Sequence, residues 1–153
     1  MNKAHFKSLV IEQMVLDVDE KIHLSKGQIS SIHHSKSSAT KSTAGDKHET
    51  GRAMMERELA MAEFQLQKAM QQKADIENLQ NASLVDGEVR FGSLIHTTNG
   101  YFLLGIGFGK VETDGAMCFA ISSASPIGIA LSGKKVGDVI EFNSSKIEIL
   151  SIT

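Results

Sequence analysis

The chain has 153 residues, 16 of them basic and 18 acidic, and a formal net charge of −2. Its 41% hydrophobic content excludes wholesale disorder, and it lacks the basic excess of a protein that holds free nucleic acid through phosphate contacts. One Cys excludes an internal disulfide and fits a reducing cytoplasm, no run approaches the about 18 apolar residues of a membrane span, and the short apolar patch near the start is broken at once by acidic residues, so no signal peptide is expected.

Glycine, proline and the aromatics divide the chain. Residues 1–82 hold only Gly27, Gly45 and Gly51, no Pro and two Phe; residues 83–153 hold the other ten Gly, the only Pro, the only Tyr and five Phe. In the first part, Phe6, Leu9, Val10, Met14, Val18, Ile22, Ile29 and Ile32 recur mostly at spacings of three, four or seven, which predicts a helix weakened at Gly27. Residues 35–51, SKSSATKSTAGDKHETG, are small and polar and predict a loop.

From Met54 to Gln80 there is neither Gly nor Pro. Met55, Ala62, Ala69 and Ile76 repeat every seven residues with Leu59 and Leu66 between them, a coiled-coil seam that Met61, Phe64 and Met70 are expected to widen. Residues 1–82 are therefore expected to form an antiparallel helical hairpin with a polar, acidic tip near 36–51. An arm of about 35 residues reaches on the order of 50 Å. Such a hairpin can satisfy its own seam, so a monomer is expected.

Residues 83–153 read as β. Strands are expected at Val89–Thr98 and Tyr101–Phe108 around an Asn99-Gly100 turn, and at Ala116–Ile121 after a turn at Glu112–Gly115. Ser125-Pro126 opens a short helix, Ile127–Leu131, with Ser as N-cap and Pro at its first position, and Gly133 stops it. Strands at Asp138–Phe142 and Lys146–Ile152 close the chain. The fold class is α+β: a helical hairpin, then a small antiparallel β domain with one short helix.

Few residues carry chemistry. Asp46 and Glu49, at i,i+3 on a helix, share a face. Two carboxylates are too few to cage Mg²⁺ but suit ligands shared with another molecule. The same spacing is also a capping box, with Asp46 at N-cap and Glu49 at N3, and spacing alone leaves both readings open. Lys36, Lys41, Lys47 and Arg52 surround this pair as candidate phosphate contacts or as plain solvated charge. His33, His34 and His48 form no metal-ligand motif, and no metal site or other cofactor intrinsic to the chain is expected. Cys118 reads as a buried strand residue with no local base. Gly105-Ile-Gly-Phe-Gly109 lacks the Lys-Ser/Thr and helix of a phosphate loop and reads as strand with close backbone packing.

The stretch SPIGIALSGKKVGDVIEF, residues 125–142, resembles the C-terminal domain of the bacterial Gre transcription elongation factors, joining Ser125, Pro126, Gly128, Ala130, Leu131, Gly133, Lys134, Gly137 and Asp138 in register. The order of the halves matches too. At the tip, Gly45-Asp46-Lys47-His48-Glu49 keeps the family's Asp and Glu spacing, whereas Thr50-Gly51-Arg52-Ala53 departs from it.

The resemblance implies an FK506-binding-protein-like C-terminal domain without isomerase activity. It implies a cytoplasmic accessory factor, not itself an enzyme, that binds RNA polymerase and inserts its hairpin into the secondary channel. There Asp46 and Glu49 would help hold the polymerase's Mg²⁺ and stimulate cleavage of backtracked RNA. Ser125, Pro126, Ile127, Gly128 and Lys134 would face the polymerase, and Lys41, Lys47 and Arg52 would face nucleic acid, met only within the elongation complex. The departure after Glu49 keeps a second expectation open: a channel-occupying regulator that does not cleave.

Overall fold

A computed structural model describes residues 2–39, 45–84 and 87–153; the side chains of residues 36, 38–39 and 45–48 lie outside that description. The elements, in chain order, are α1 (Lys3–Ala39), α2 (Gly45–Gln80), β1 (Leu94–Thr97), β2 (Gly100–Gly105), β3 (Gly109–Thr113), β4 (Ala116–Ser122), α3 (Pro126–Leu131), β5 (Val139–Phe142) and β6 (Ser145–Ile152). The chain is α+β, a long helical hairpin followed by a six-stranded sheet and one short helix. It divides into two compact units, Leu16–Ala74 and the combination of Met1–Val15 with Asp75–Thr153.

The first of these units is the helical arm. Its helices run antiparallel: Lys73 Nζ meets Asp19 Oδ1 at 2.6 Å, and Gln28 and Ile32 share one groove wall with Gln65 and Met61. Val18, Ser25, Ala62 and Ala69 are buried, and Ile22, Ile29, Ile32, Met55, Leu59 and Leu66 are half-buried. This is the expected heptad seam, with Ser25 filling the position that the apolar pattern skipped between Ile22 and Ile29. Met61, Phe64 and Met70 do not widen it. They are exposed, Phe64 at 69%, because at 100° per residue Met61 and Phe64 fall outside the narrow stripe through Ala62 and Ala69.

The expected loop at 35–51 is also shorter than its composition implies. Helix continues to Ala39 and resumes at Gly45, leaving residues 40–44 outside the described chain. Once a helix is nucleated, each added Ser or Thr costs only a few tenths of a kcal/mol, and packing of a partner helix offsets that.

In the other unit, the six strands run in the order β3-β4-β2-β1-β6-β5. Four pairings are antiparallel and one, β2 with β4, is parallel, with Phe102 opposite Phe119. Strand β3 was not expected. Its Asp114-Gly115 loop, at φ 51° and 71°, is the positive-φ pair of a type I′ hairpin, so residues 109–111 pair back onto β4. Asn143-Ser144 does the same between β5 and β6, at φ 49° and 64°. Between β1 and β2 the two-residue loop is Thr98-Asn99, one position earlier than the Asn-Gly signal placed it. The buried Thr97 hydroxyl decides this register: it accepts from Asn99 N at 3.1 Å and donates to Gly100 O at 2.9 Å.

Both faces of the central strand are covered. On one face Phe102 and Leu104 join Val89, Ile95, Leu131, Ile140, Ile147 and Ile149 in a core that α3 closes. On the other, the Phe6 ring lies 4.9 Å from Tyr101, and Leu79 occupies the space a Cβ on Gly105 would need. Lys3 Nζ donates to Ser151 Oγ at 2.6 Å and Lys7 Nζ to Thr153 O at 3.3 Å, fixing the start of α1 against β6. Burial lowers the pKa of the Lys7 ammonium.

His96 stacks on Tyr101, centroids 4.3 Å apart at 12°. Burial, and then the positive charge of Lys3, hold its pKa below the usual 6.5. The unfolded chain therefore binds this proton at a higher pH than the folded one. His96 contributes stability fully above pH 6.5 and loses it as pH falls below that value. The urea midpoint is expected to drop between pH 8 and pH 5, and His96→Phe, which keeps the stack, is expected to flatten part of that slope.

Gly27 sits in the middle of α1, exposed, with nothing within 4 Å of the position a Cβ would take. Gly27→Ala is expected to stabilise the arm by about 0.5–1 kcal/mol, read as a higher thermal midpoint by circular dichroism at 222 nm.

Candidate functional site

Two regions carry the residues singled out by sequence. The first is the start of α2. The backbone at Asp46 and Glu49 is helical, which keeps the i,i+3 relation. Helix begins at Gly45, which places Asp46 within its first turn. Glu49 is exposed; the Asp46 and Lys47 side chains and all of Lys41 lie outside the described residues. Arg52 is exposed and pairs with Glu56, Nε to Oε1 3.5 Å, one turn further on. Sequence reading missed that pairing, although Arg-x-x-x-Glu is visible as an i,i+4 pattern. With both side chains more than half exposed, it is worth about 0.3–0.5 kcal/mol and yields readily to a phosphate or carboxylate competitor. Among the described residues no group of three or more His, Cys, Asp or Glu is placed to hold a metal ion.

The second region is α3 and the turn after it. Ser125 Oγ donates to Ser122 O at 2.6 Å and accepts from Gly128 N at 3.1 Å, so Ser125 is the helix cap its position implied. Pro126 occupies the first helical position, where its missing N–H costs nothing. Gly128 is buried where a Cβ would collide with Ser122 O and come within 2.9 Å of Ser125 Oγ.

Leu131 enters the core, and Ser132 closes the helix by bonding Gly128 O through both its N (3.0 Å) and its Oγ (2.8 Å). Gly133 and Lys134 then pair through their backbones with Val89: Gly133 N donates to Val89 O and Val89 N to Lys134 O, both at 2.8 Å. Asp138 accepts Lys135 N at 2.8 Å and seals the turn into β5.

Most of the 125–138 motif is therefore architecture. Of the five residues expected to meet a partner, Pro126 and Lys134 are exposed, Ser125 and Ile127 are half-buried, and Gly128 is covered. What the motif offers to solvent also includes Ile129, 65% exposed, and Val136, which the sequence reading did not select. The signal was present: residues two apart on a helix point about 200° apart, so Ile127 packed inward sends Ile129 outward.

Over 48 residues the chain is 52% identical to the transcription elongation factor GreA of Clostridium botulinum (strain Eklund 17B / Type B). The match covers 29% of this chain and 29% of that protein. No family model matches the chain. The chain thus carries a partial similarity to a Gre factor.

Other candidates are inert. Burial pushes the Cys118 thiol up to about 12, against a smaller opposing effect of a backbone hydrogen bond at Leu103, so a thiolate nucleophile is not available there. Of Gly105 to Gly109, Gly105 closes β2 against Leu79, and residues 106–108 are the link to β3 rather than the strand expected there. No described helix is long and apolar enough to cross a membrane.

If Gly128 is fixed by the close approach of Ser122, Gly128→Ala lowers the stability of the sheet unit by about 1–3 kcal/mol in urea unfolding, whereas Ile129→Ala on the open side changes it by about 0.5 kcal/mol or less. Equal midpoints for the two variants would refute the packing account.

Proposed function

We propose that this chain is an accessory factor of transcription elongation that binds RNA polymerase, places its hairpin in the secondary channel and stimulates cleavage of backtracked RNA. The observation that carries this reading is the pairing of a long helical hairpin with a small α+β unit, in a chain whose partial identity is to a protein named as an elongation factor. The 125–138 surface, through Pro126, Ile129 and Lys134, would dock on the polymerase, and the start of α2 would be the working end.

The chemistry belongs to the polymerase. When bound there, Mg²⁺ activates a water for attack on an RNA phosphodiester. Asp46 and Glu49 are a donor pair of the right charge to share that ion, and too few to hold one alone. Arg52, three residues after Glu49 on the same helix and paired with Glu56, would turn to RNA phosphate, with Lys41 and Lys47 as further cations. A cytoplasmic location follows from this partner.

The test uses stalled, backtracked elongation complexes carrying 3′-labelled RNA, incubated with the chain and Mg²⁺. The expected result is release of short 3′ fragments, reduced by about 10²-fold or more in Asp46→Asn/Glu49→Gln with polymerase binding retained. Binding without fragments would favour the non-cleaving regulator. The absence of both binding and fragments would overturn the proposal.

A further inference from the structure

Strand β3 ends the sheet, with β4 on one side and, among the described residues, no strand on the other. It joins β4 through the two-residue Asp114-Gly115 loop, so Thr113 and Ala116 exchange both backbone hydrogen bonds. Bonded and non-bonded pairs then alternate along the ladder. Gly109, Val111 and Thr113 turn their N–H and C=O toward β4, and Lys110 and Glu112 turn theirs off the edge. The side chains of Lys110 and Glu112 are both exposed, on the face opposite the buried Val111.

A sheet edge is commonly guarded against further pairing by a charge, often Lys. Here the guard is of mixed sign: Lys110 Nζ lies 3.0 Å from Glu112 Oε1, with both side chains more than half exposed. Opposite charges two residues apart discriminate among the ways a second β3 could lie against the first. Lys110 opposite Lys110, or Glu112 opposite Glu112, sets like charges face to face, which destabilises a sheet. A shift of one residue from either sets outward backbone groups against inward ones, except that no hydrogen bonds then form. Lys110 opposite Glu112 aligns the outward groups and pairs opposite charges on both sides of Val111.

We propose that two copies of this chain associate edge to edge, β3 antiparallel to β3, with Lys110 of each copy opposite Glu112 of the second and Val111 on the two-fold axis. Each Lys110–Glu112 pair exchanges two backbone hydrogen bonds, and every contact occurs twice. The axis stands perpendicular to the sheet, so all the paired Lys and Glu side chains stay on one face. Each charge keeps its partner along the strand and gains another across it, and the signs alternate around the axis. Met117 and Phe119, exposed on β4 beside Glu112 and Lys110, flank these charges and offer the Lys stems an apolar surface. The two six-stranded sheets become one continuous sheet. A five-residue edge buries little, so the association is weak. This pairing uses no residue of the elongation-factor reading and revises the expectation of a monomer.

Sedimentation of the full chain from the micromolar to the millimolar range tests it, with circular dichroism as the folding control. A monomer–dimer equilibrium is expected. Amide hydrogen exchange at Lys110 and Glu112 should slow as concentration rises, whereas Val111 and Thr113, already bonded to β4, should change little. Lys110→Glu and Glu112→Lys should each raise the dissociation constant about tenfold or more, because each sets like charges opposite one another. An equimolar mixture of the two variants should recover association to within about threefold of the parent, since an acidic edge then faces a basic one. Three results would each overturn the proposal: a monomer at every concentration, which would leave the edge to an extended segment of another protein; a dimer in which exchange at Lys110 and Glu112 is unchanged; or a mixture no tighter than either variant alone.

Discussion

Coverage of the sheet on both faces is the constraint on which the rest of the sheet unit depends. A β unit of this size buries little apolar surface by itself, and covering its sheet on both faces raises that burial. Here α3 closes one face over Phe102 and Leu104, while the ends of the two long helices close the other over Tyr101 and Gly105. The opening turns of α1 and the closing turns of α2 thus belong to the same compact unit as the strands. At Gly105 the strand gives up a side chain so that Leu79 can reach its backbone.

The motif that first linked the chain to transcription factors illustrates how architecture and recognition share residues. Ser125, Gly128, Gly133 and Asp138 are each engaged by hydrogen bonding or close packing within the unit. Their presence shows that a short capped helix and its following turn are built in a particular way. A partner can touch only what the motif leaves outside, which includes Pro126, Ile129, Lys134 and Val136.

The helical arm follows a different economy. Alanines and a serine at the seam bring the helices close without filling the space beside them, and the large apolar residues that could have done so stand on the rims. The same narrow seam that gives the hairpin its register leaves it an unfilled side.

The sequence by itself determined the helix-then-sheet order, the heptad seam, the Ser125-Pro126 helix start and the i,i+3 relation of Asp46 to Glu49, because each depends on spacing within a few residues. It did not place Ser25 in the seam or Met61 and Phe64 outside it, since burial is set by which side a second helix approaches. It missed β3 and the parallel β2–β4 pairing, because pairing partners are chosen across the sheet and not along the chain. The β1–β2 turn moved by one residue for the same reason: the Asn-Gly signal is local, whereas the buried Thr97 hydroxyl bonds only once β1 is packed. Likewise the exposure of Ile129 and the burial of Gly128 were decided by tertiary structure, which alone fixes which faces of a helix meet protein and which meet water.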